Sequence, residues 1–273
     1  MTSESAAPVS PSPSPLAVLH RETHRHLRLN RRQPDYRFAS GAVTVALMAA
    51  ELPAACTEYP CVMARQPDGG WSLLAVTGLQ SGHNLYVTQD GTWLGNHLPA
   101  TLATWPFRLV RDGGAQGSFL VAVQPDELSE GVGDPLFDGA GAEAPWLLER
   151  LRQLVDTDTG LTDTARQIAA LDAAGVLCER SLQAVLADGS DVELNGFMVV
   201  DEAKLQALPE KTVHELHTQG VLSLAYLHLL SLRRFRPLVQ RAGQRPLRDE
   251  ALGAGRAQEV VTAPADSPLA TTA

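Results

Sequence analysis

The residues best suited to chemistry or recognition lie between Gly82 and Phe107, in the stretch GHNLYVTQDGTWLGNHLPATLATWPF. His83, Asn84, Tyr86, Asp90, Trp93, His97, Trp105 and Phe107 gather imidazole, amide, carboxylate and ring groups, in a chain that is only 5% aromatic. Such a mix suits a pocket or a recognition groove, where rings supply apolar contact and polar groups fix orientation. His83, Asp90 and His97 are also a two-imidazole, one-carboxylate set of the kind that holds non-haem iron, provided all three converge on one ion. Against both stands a plainer reading: a sheet core in which strand rings pack and Asn84 satisfies the backbone of a turn.

Other candidates carry less. His20, His24 and His26 stand near the N-terminus, but Arg21, Arg25 and Arg28 interleave with them and would repel a cation. They read as a solvated or locally hydrogen-bonded cluster. His214-Glu215-Leu216-His217 is one residue short of the H-E-x-x-H zinc pattern and has no obvious third ligand. His228 sits in an apolar run and reads as a core histidine with one satisfied hydrogen bond. Neither a G-x-S-x-G elbow nor a phosphate-cradling glycine motif is present. The expectation is therefore no metal, no cofactor and no assignable catalytic residue.

Composition narrows the partners. The 273 residues include 22 Lys+Arg and 31 Asp+Glu, a net charge of −9, with 44% hydrophobic and 19% charged residues. That is a folded globular composition, and its acidity argues against nucleic acid or an anionic membrane surface. Cys56, Cys61 and Cys178 form no C-x-x-C pair and are odd in number, so reduced, partly buried thiols are expected. Met1–Pro15 lacks the charged-then-apolar pattern of a secretory signal. Val221–Leu232 is too short and too polar to span a bilayer, so a cytoplasmic address is expected.

The elements that must position these groups follow from turn chemistry and periodicity. The Pro/Ser-rich residues 1–15 and the aperiodic residues 239–273 read as disordered tails around a folded region of 16–238, β-rich over 36–125 and helix-rich over 145–236. Asp-Gly pairs at 68–69, 90–91, 112–113 and 188–189 mark turns between strand-like runs, which short connections force to run antiparallel. Two hairpins look alike: Tyr59-Pro60 leads to CVMARQ, PDGG and WSLLAV, and Trp105-Pro106 leads to FRLVR, DGG and SFLVAV. They are either a duplicated hairpin, building matching halves of one sheet or a barrel-like closure, or two hairpins that share only their turn type. Helices are expected over Val43–Ala55, Pro145–Val155, a segment capped by Thr162 or Asp163 and ending near Gly175, a short one capped by Asp201, and Thr212–Leu232 with a break near Gly220. The class is α+β: an antiparallel β-meander flanked by helices.

Leu19–Leu29, Tyr36–Ala39, Glu51 with Tyr59-Pro60, Gly78-Leu79, Asn84–Val87 with Asp90-Gly91 and Trp93, Leu98–Ala100 and Trp105–Phe107 recur in the order found in a known family. Leu136–Asp138, Leu194 and Gly196 leading to Val200–Glu202, and a Gly220 helix ending in Leu230–Leu232 continue the set. Over about residues 16–236 the chain resembles the SapC family, named for its association with bacterial surface-layer gene clusters. The resemblance supplies no catalytic motif. It implies a role beside TonB-dependent receptors, flavin-dependent halogenase-like proteins and cupin or JmjC-type hydroxylases. A non-catalytic accessory protein engaging a protein or peptide partner is then expected, the alternative being a cupin-like, metal-dependent peptide-modifying enzyme. Cys61 departs from the aliphatic residue that relatives commonly carry after Tyr-Pro.

Overall fold

The computed structural model describes residues 15–111, 119–186 and 189–244. In chain order its strands are β1 (Ala17–Val18), β2 (Arg28–Leu29), β3 (Thr44–Leu47), β4 (Cys61–Arg65), β5 (Trp71–Val76), β6 (Phe107–Arg111), β7 (Phe119–Val123), β8 (Leu128–Ser129), β9 (Asp134–Pro135), β10 (Leu177–Val185) and β11 (Asp191–Val200). Its α-helices are α1 (Leu52–Ala55), α2 (Ala100–Ala103), α3 (Pro145–Ala173), α4 (Glu202–Gln206), α5 (Glu210–Thr218), α6 (Val221–Ser231) and α7 (Phe235–Gln244). The chain divides into two compact units. The larger holds Gln33–Trp105 and the described residues from Arg152 onward; the smaller holds those up to Arg32 with Pro106–Leu151.

The larger unit is built on a five-stranded antiparallel sheet, β10-β11-β4-β5-β3. Its core draws Leu47, Val62, Met63, Leu73 and Val76 from the sheet, Ile168 and Leu171 from α3, and Val221 and Leu224 from α6. The smaller unit carries two three-stranded sheets, β1-β7-β6 and β8-β2-β9. The class is α+β, as the mixture of turn signals and helical periods predicts. No helix among the described residues is long and apolar enough to cross a membrane.

The two similar hairpins share more than a turn. Arg65 pairs with Trp71 as Arg111 pairs with Phe119. The Pro60 carbonyl accepts the Val76 N–H at 2.8 Å, and the Pro106 carbonyl accepts the Gln124 N–H at 3.1 Å. An upstream strand then adds to the same side of each: β3 sets Val45 opposite Ala75, and β1 sets Ala17 opposite Val123. A glycine turn follows in both, closed by the bridges Val87–Trp93 and Phe137–Glu143, with Gly91 at φ 87° and Gly141 at φ 86°. The likeness thus covers a three-stranded sheet and its following turn. It does not build one sheet: the two copies stand in different sheets and different units, and no barrel closes among the described residues.

Those two turns differ in one testable respect. A Cβ at Gly91 would fall 2.1 Å from Asp35 Oδ1, whereas one at Gly141 meets nothing within 4 Å. Asp35 Oδ1 also accepts the Arg37 N–H at 2.9 Å, so the clash would cost a second contact. Left-handed backbone costs a non-glycine residue about 1–2 kcal/mol. Gly141→Ala is expected to lose about 1 kcal/mol and Gly91→Ala about 2 kcal/mol or more, read from urea midpoints.

Three expectations about local structure are corrected. Thr44–Leu47 is a strand, not the start of a helix, because β-branched Val43, Thr44 and Val45 fit the pleated edge beside β5; only Ala49–Ala55 is helical. Thr162 and Asp163 cap nothing: α3 is continuous, and Thr162 Oγ1 donates to the Asp158 carbonyl at 3.0 Å. Gly160 lets Met48 lie against α3: a Cβ there would fall 2.3 Å from Met48 Sδ and oblige that side chain to shift. Helix α7 runs through residues expected to begin a disordered tail, with Leu238 1% exposed and Val239 and Ala242 packed on the core. The Asp112-Gly113 turn, Asp188, and residues 1–14 and 245–273 lie outside the described residues. The break at Gly220 and the Asp201 cap, which accepts from the Ala203 and Lys204 N–H groups, are as expected.

Candidate functional site

The Gly82–Trp105 stretch wraps one edge of the larger unit and is tied down by its own polar groups. Asn84 is 1% exposed; its Nδ2 donates to the Ala39 carbonyl at 3.0 Å and its Oδ1 accepts the Tyr86 N–H at 2.9 Å. Tyr86, also buried, donates its hydroxyl to the Glu58 carbonyl at 3.0 Å. Its ring meets Tyr59 edge-on at 4.8 Å and stacks on Trp93 at 5.7 Å. Burial pushes the Tyr86 phenol up to about 12, against the pull of Arg241, and raises Tyr59 further still. Both phenols therefore stay neutral and act as hydrogen-bond donors.

His97 is the junction of this cluster. Its carbonyl accepts the Trp93 Nε1–H at 3.0 Å and the Tyr59 hydroxyl. Its Nε2 lies 3.1 Å from Glu51 Oε1. Glu51, at the end of a short 3₁₀ turn, also accepts the Ala100 N–H at 2.8 Å on the same oxygen and the Met48 N–H at 2.9 Å on Oε2. The carboxylate satisfies the first turn of α2 and the entry to the 3₁₀ turn together. It holds His97 with one ring nitrogen turned inward, and the His97 side chain is 21% exposed.

The remaining expected site residues scatter. His83 is exposed. Asp90 is exposed and held by the hydroxyls of Thr88 and Thr92, which keep its carboxyl below the usual range. Trp93 and Trp105 are half-buried, and Trp105 stacks on Phe38 at 4.2 Å. Phe107 begins β6 in the smaller unit, 1% exposed, with Trp146 its ring neighbour at 6.4 Å. So Tyr86, Trp93 and His97 come together with Tyr59 and Glu51, while His83 and Asp90 stand apart.

The metal candidates resolve in the same way. Among the described residues no group of three His, Cys, Asp or Glu side chains is placed to hold a metal ion, so His83, Asp90 and His97 do not converge. His214 and His217 are exposed on α5, and the neighbouring Glu215 pairs with Lys211 at 3.9 Å. The His24 ring faces the Thr23 hydroxyl at 2.9 Å and the His20 N–H at 3.0 Å, a local turn contact. All three cysteines are free, and burial pushes the Cys61 thiol up to about 12 and raises Cys56, which makes those two poor nucleophiles.

A cavity of about 570 Å³ lies elsewhere, among Arg180, Val200, Asp201, Glu202, Leu229 and Leu232. None of its lining residues comes from the Gly82–Phe107 stretch. Sequence reading missed the Glu51–His97 contact, which joins residues 46 apart. It also missed Arg241, whose guanidinium stands 4.3 Å over the Tyr86 ring. No local pattern signals either contact, because each depends on the pairing of distant elements.

A family model described as SapC matches residues 19–238. The chain belongs to the SapC family. The match takes in both units, and Glu51, Tyr59, Tyr86, Trp93 and His97 all fall inside it. No curated protein and no solved structure matches the chain. Membership fixes kinship for this SapC chain, and fold kinship alone does not assign a reaction.

Proposed function

We propose that this SapC-family chain is a non-catalytic accessory protein that engages a peptide or protein partner within a surface-layer, TonB-dependent uptake or peptide-modification system. The observation that carries the reading is Leu94, 50% exposed between the half-buried Trp93 and the loop to His97. Its N–H donates to the Tyr86 carbonyl at 2.8 Å, and Trp93 and Tyr59 clamp the far end of the loop on the His97 carbonyl. An apolar side chain displayed on a loop that is already rigid binds with little ordering cost. The Gly82–Phe107 residues would then act in two ways, Trp93, His97 and Trp105 at the contact and Asn84 and Tyr86 beneath it.

Affinity capture from the native host tests this directly. Wild type and Leu94→Asp are compared, with Val155→Asp on the exposed face of α3 as the control. The reading expects a defined partner that Leu94→Asp loses and Val155→Asp retains. Identical capture by all three variants would overturn it.

A further inference from the structure

We propose that the basic segment His20–Arg32, held on the smaller unit's β8-β2-β9 sheet, is a docking surface for an acidic peptide: its guanidinium groups take the peptide's carboxylates, and Val132 takes a neighbouring apolar side chain. The surface lies wholly within the smaller unit, whereas Leu94 belongs to the larger, so the inference goes beyond the contact proposed above and does not depend on it.

Charge is unevenly placed along this chain. Residues 20–32 carry Arg21, Arg25, Arg28, Arg31 and Arg32 with a single acidic residue, Glu22, in a protein whose net charge is −9. All of these arginines but Arg28 are exposed. A concentrated patch of one sign steers a partner of the other sign toward it.

The fold fixes three of these arginines on one short stretch, residues 133–139. Arg28 Nη1 donates to the Gly133 carbonyl at 3.2 Å, Arg31 Nη1 to Asp134 Oδ2 at 3.3 Å and Arg25 Nη2 to the Gly139 carbonyl at 2.5 Å. Strand β2 sets this register, because it lies between β8 and β9 with Arg28 opposite both Ser129 and Pro135. The Arg31 guanidinium also stands 4.7 Å over the Trp146 ring, whose Nε1 donates to the Pro135 carbonyl at 2.9 Å.

Two of the three anchors are neutral. A backbone carbonyl holds a guanidinium in place without cancelling its charge, and one such bond leaves most of its N–H donors unspent. Among the described residues Asp134 is the one carboxylate that pairs with any of the five arginines, and that pair is exposed on both sides, so it contributes little. Asp138 is committed to the Ala140 and Ala142 N–H groups. Arg25 and Arg28 are thus preorganised and uncompensated, and a carboxylate meets them with little ordering cost.

The neighbouring turn decides the partner's class. Val132, next to Gly133, is 65% exposed on a turn closed by Ser129, whose hydroxyl donates to the Val132 carbonyl at 2.8 Å and accepts its N–H at 3.2 Å. An exposed apolar side chain beside a fixed guanidinium fits a peptide that sets an aliphatic residue among carboxylates. A phosphodiester backbone fits less well. It offers no aliphatic group, and Glu130, Asp134 and Asp138 on the same stretch repel its continuous charge.

The probe is acetyl-Glu-Glu-Leu-Glu-Glu amide, titrated into the full chain by calorimetry at low and at physiological ionic strength. Saturable binding that weakens with salt is expected. The triple variant Arg25→Gln, Arg31→Gln, Arg32→Gln should bind about tenfold more weakly. A second triple variant, Arg166→Gln, Arg233→Gln, Arg236→Gln, removes the same charge from exposed arginines of the larger unit and should bind as wild type does. Val132→Ser should weaken binding about threefold. In wild type, saturating probe should shift the Val132 and Gly133 amide resonances, a readout that needs no variant to fold. No saturable binding, equal weakening in the two triple variants, or unmoved Val132 and Gly133 resonances would each overturn the proposal. Tighter binding of a DNA pentanucleotide, lost in the first triple variant, would also overturn it by making the surface one for nucleic acid.

Discussion

Replacing Glu51 by alanine lowers the unfolding free energy by about 3 kcal/mol or more, the largest loss expected from a single side chain near the aromatic cluster. Three donors converge on this carboxylate: the Met48 and Ala100 N–H groups and His97 Nε2. With a side chain only 8% exposed, it is poorly replaced by water. Removing the acceptor leaves the Met48 and Ala100 N–H groups and the His97 ring without their partner, and each stranded donor costs about 1–3 kcal/mol. Glu51→Gln keeps the shape and one carbonyl oxygen but turns an NH₂ toward a donor, so an intermediate loss of about 1–2 kcal/mol is expected. Urea unfolding orders the variants, and the Trp93 fluorescence should shift with them, because His97 carries the carbonyl that holds the indole. Stability within about 0.5 kcal/mol of wild type for Glu51→Ala would show that the carboxylate is not the tie it looks to be.

Much of the fold was legible wherever a local rule decides the outcome. The β4–β5 and β10–β11 hairpins, the Asp201 cap and the Gly220 break follow from turn residues, alternation and capping chemistry acting over a few positions. Thr44–Leu47 was not legible in this way. Ala46, Leu47 and Met48 are good helix formers, and only the pairing with β5 makes them strand. Thr162 and Asp163 likewise carry a cap signal that tertiary contact overrides: Thr164 Oγ1 accepts the Ala49 N–H at 2.7 Å within an unbroken helix. The candidate site shows the same division. Asn84, Tyr86, Trp93 and His97 were legible as one cluster because they are neighbours along the chain. Trp105 and Phe107 are neighbours too, yet they fall in different units. Glu51 and Arg241 reach the cluster only through long-range pairing, for which spacing in the sequence offers no cue.

The second large effect is a loss of stability in acid that traces to His228. This imidazole is fully buried in α6, where Nε2 accepts the Val200 N–H at 3.1 Å and Nδ1 has no hydrogen-bond partner. Burial pushes its pKa from 6.5 down to about 4, against a weaker opposing pull from the Cys61 backbone. The ring and the turn that follows it each tie α6 to the sheet. Val200 ends β11, and Ser231, one turn beyond His228, accepts the Cys61 N–H of β4 at 3.0 Å and donates to the His228 carbonyl at 2.6 Å. Helix α6 is thereby pinned to two adjacent strands of the sheet. As pH falls below 6.5 the unfolded chain takes up a proton that the folded chain refuses until about pH 4, so the contribution is complete above 6.5 and is lost between 6.5 and 4. A shift of that size corresponds to about 3 kcal/mol. His228→Gln retains an acceptor for the Val200 N–H and removes the titration. It should be less stable than wild type at pH 8, and the gap should close as pH falls toward 4. Contributions from groups remote from His228 cancel in the difference between the two proteins. Parallel stability curves for the two proteins between pH 4 and 6.5 would mean that the ring already carries its proton, or reaches water, inside the fold.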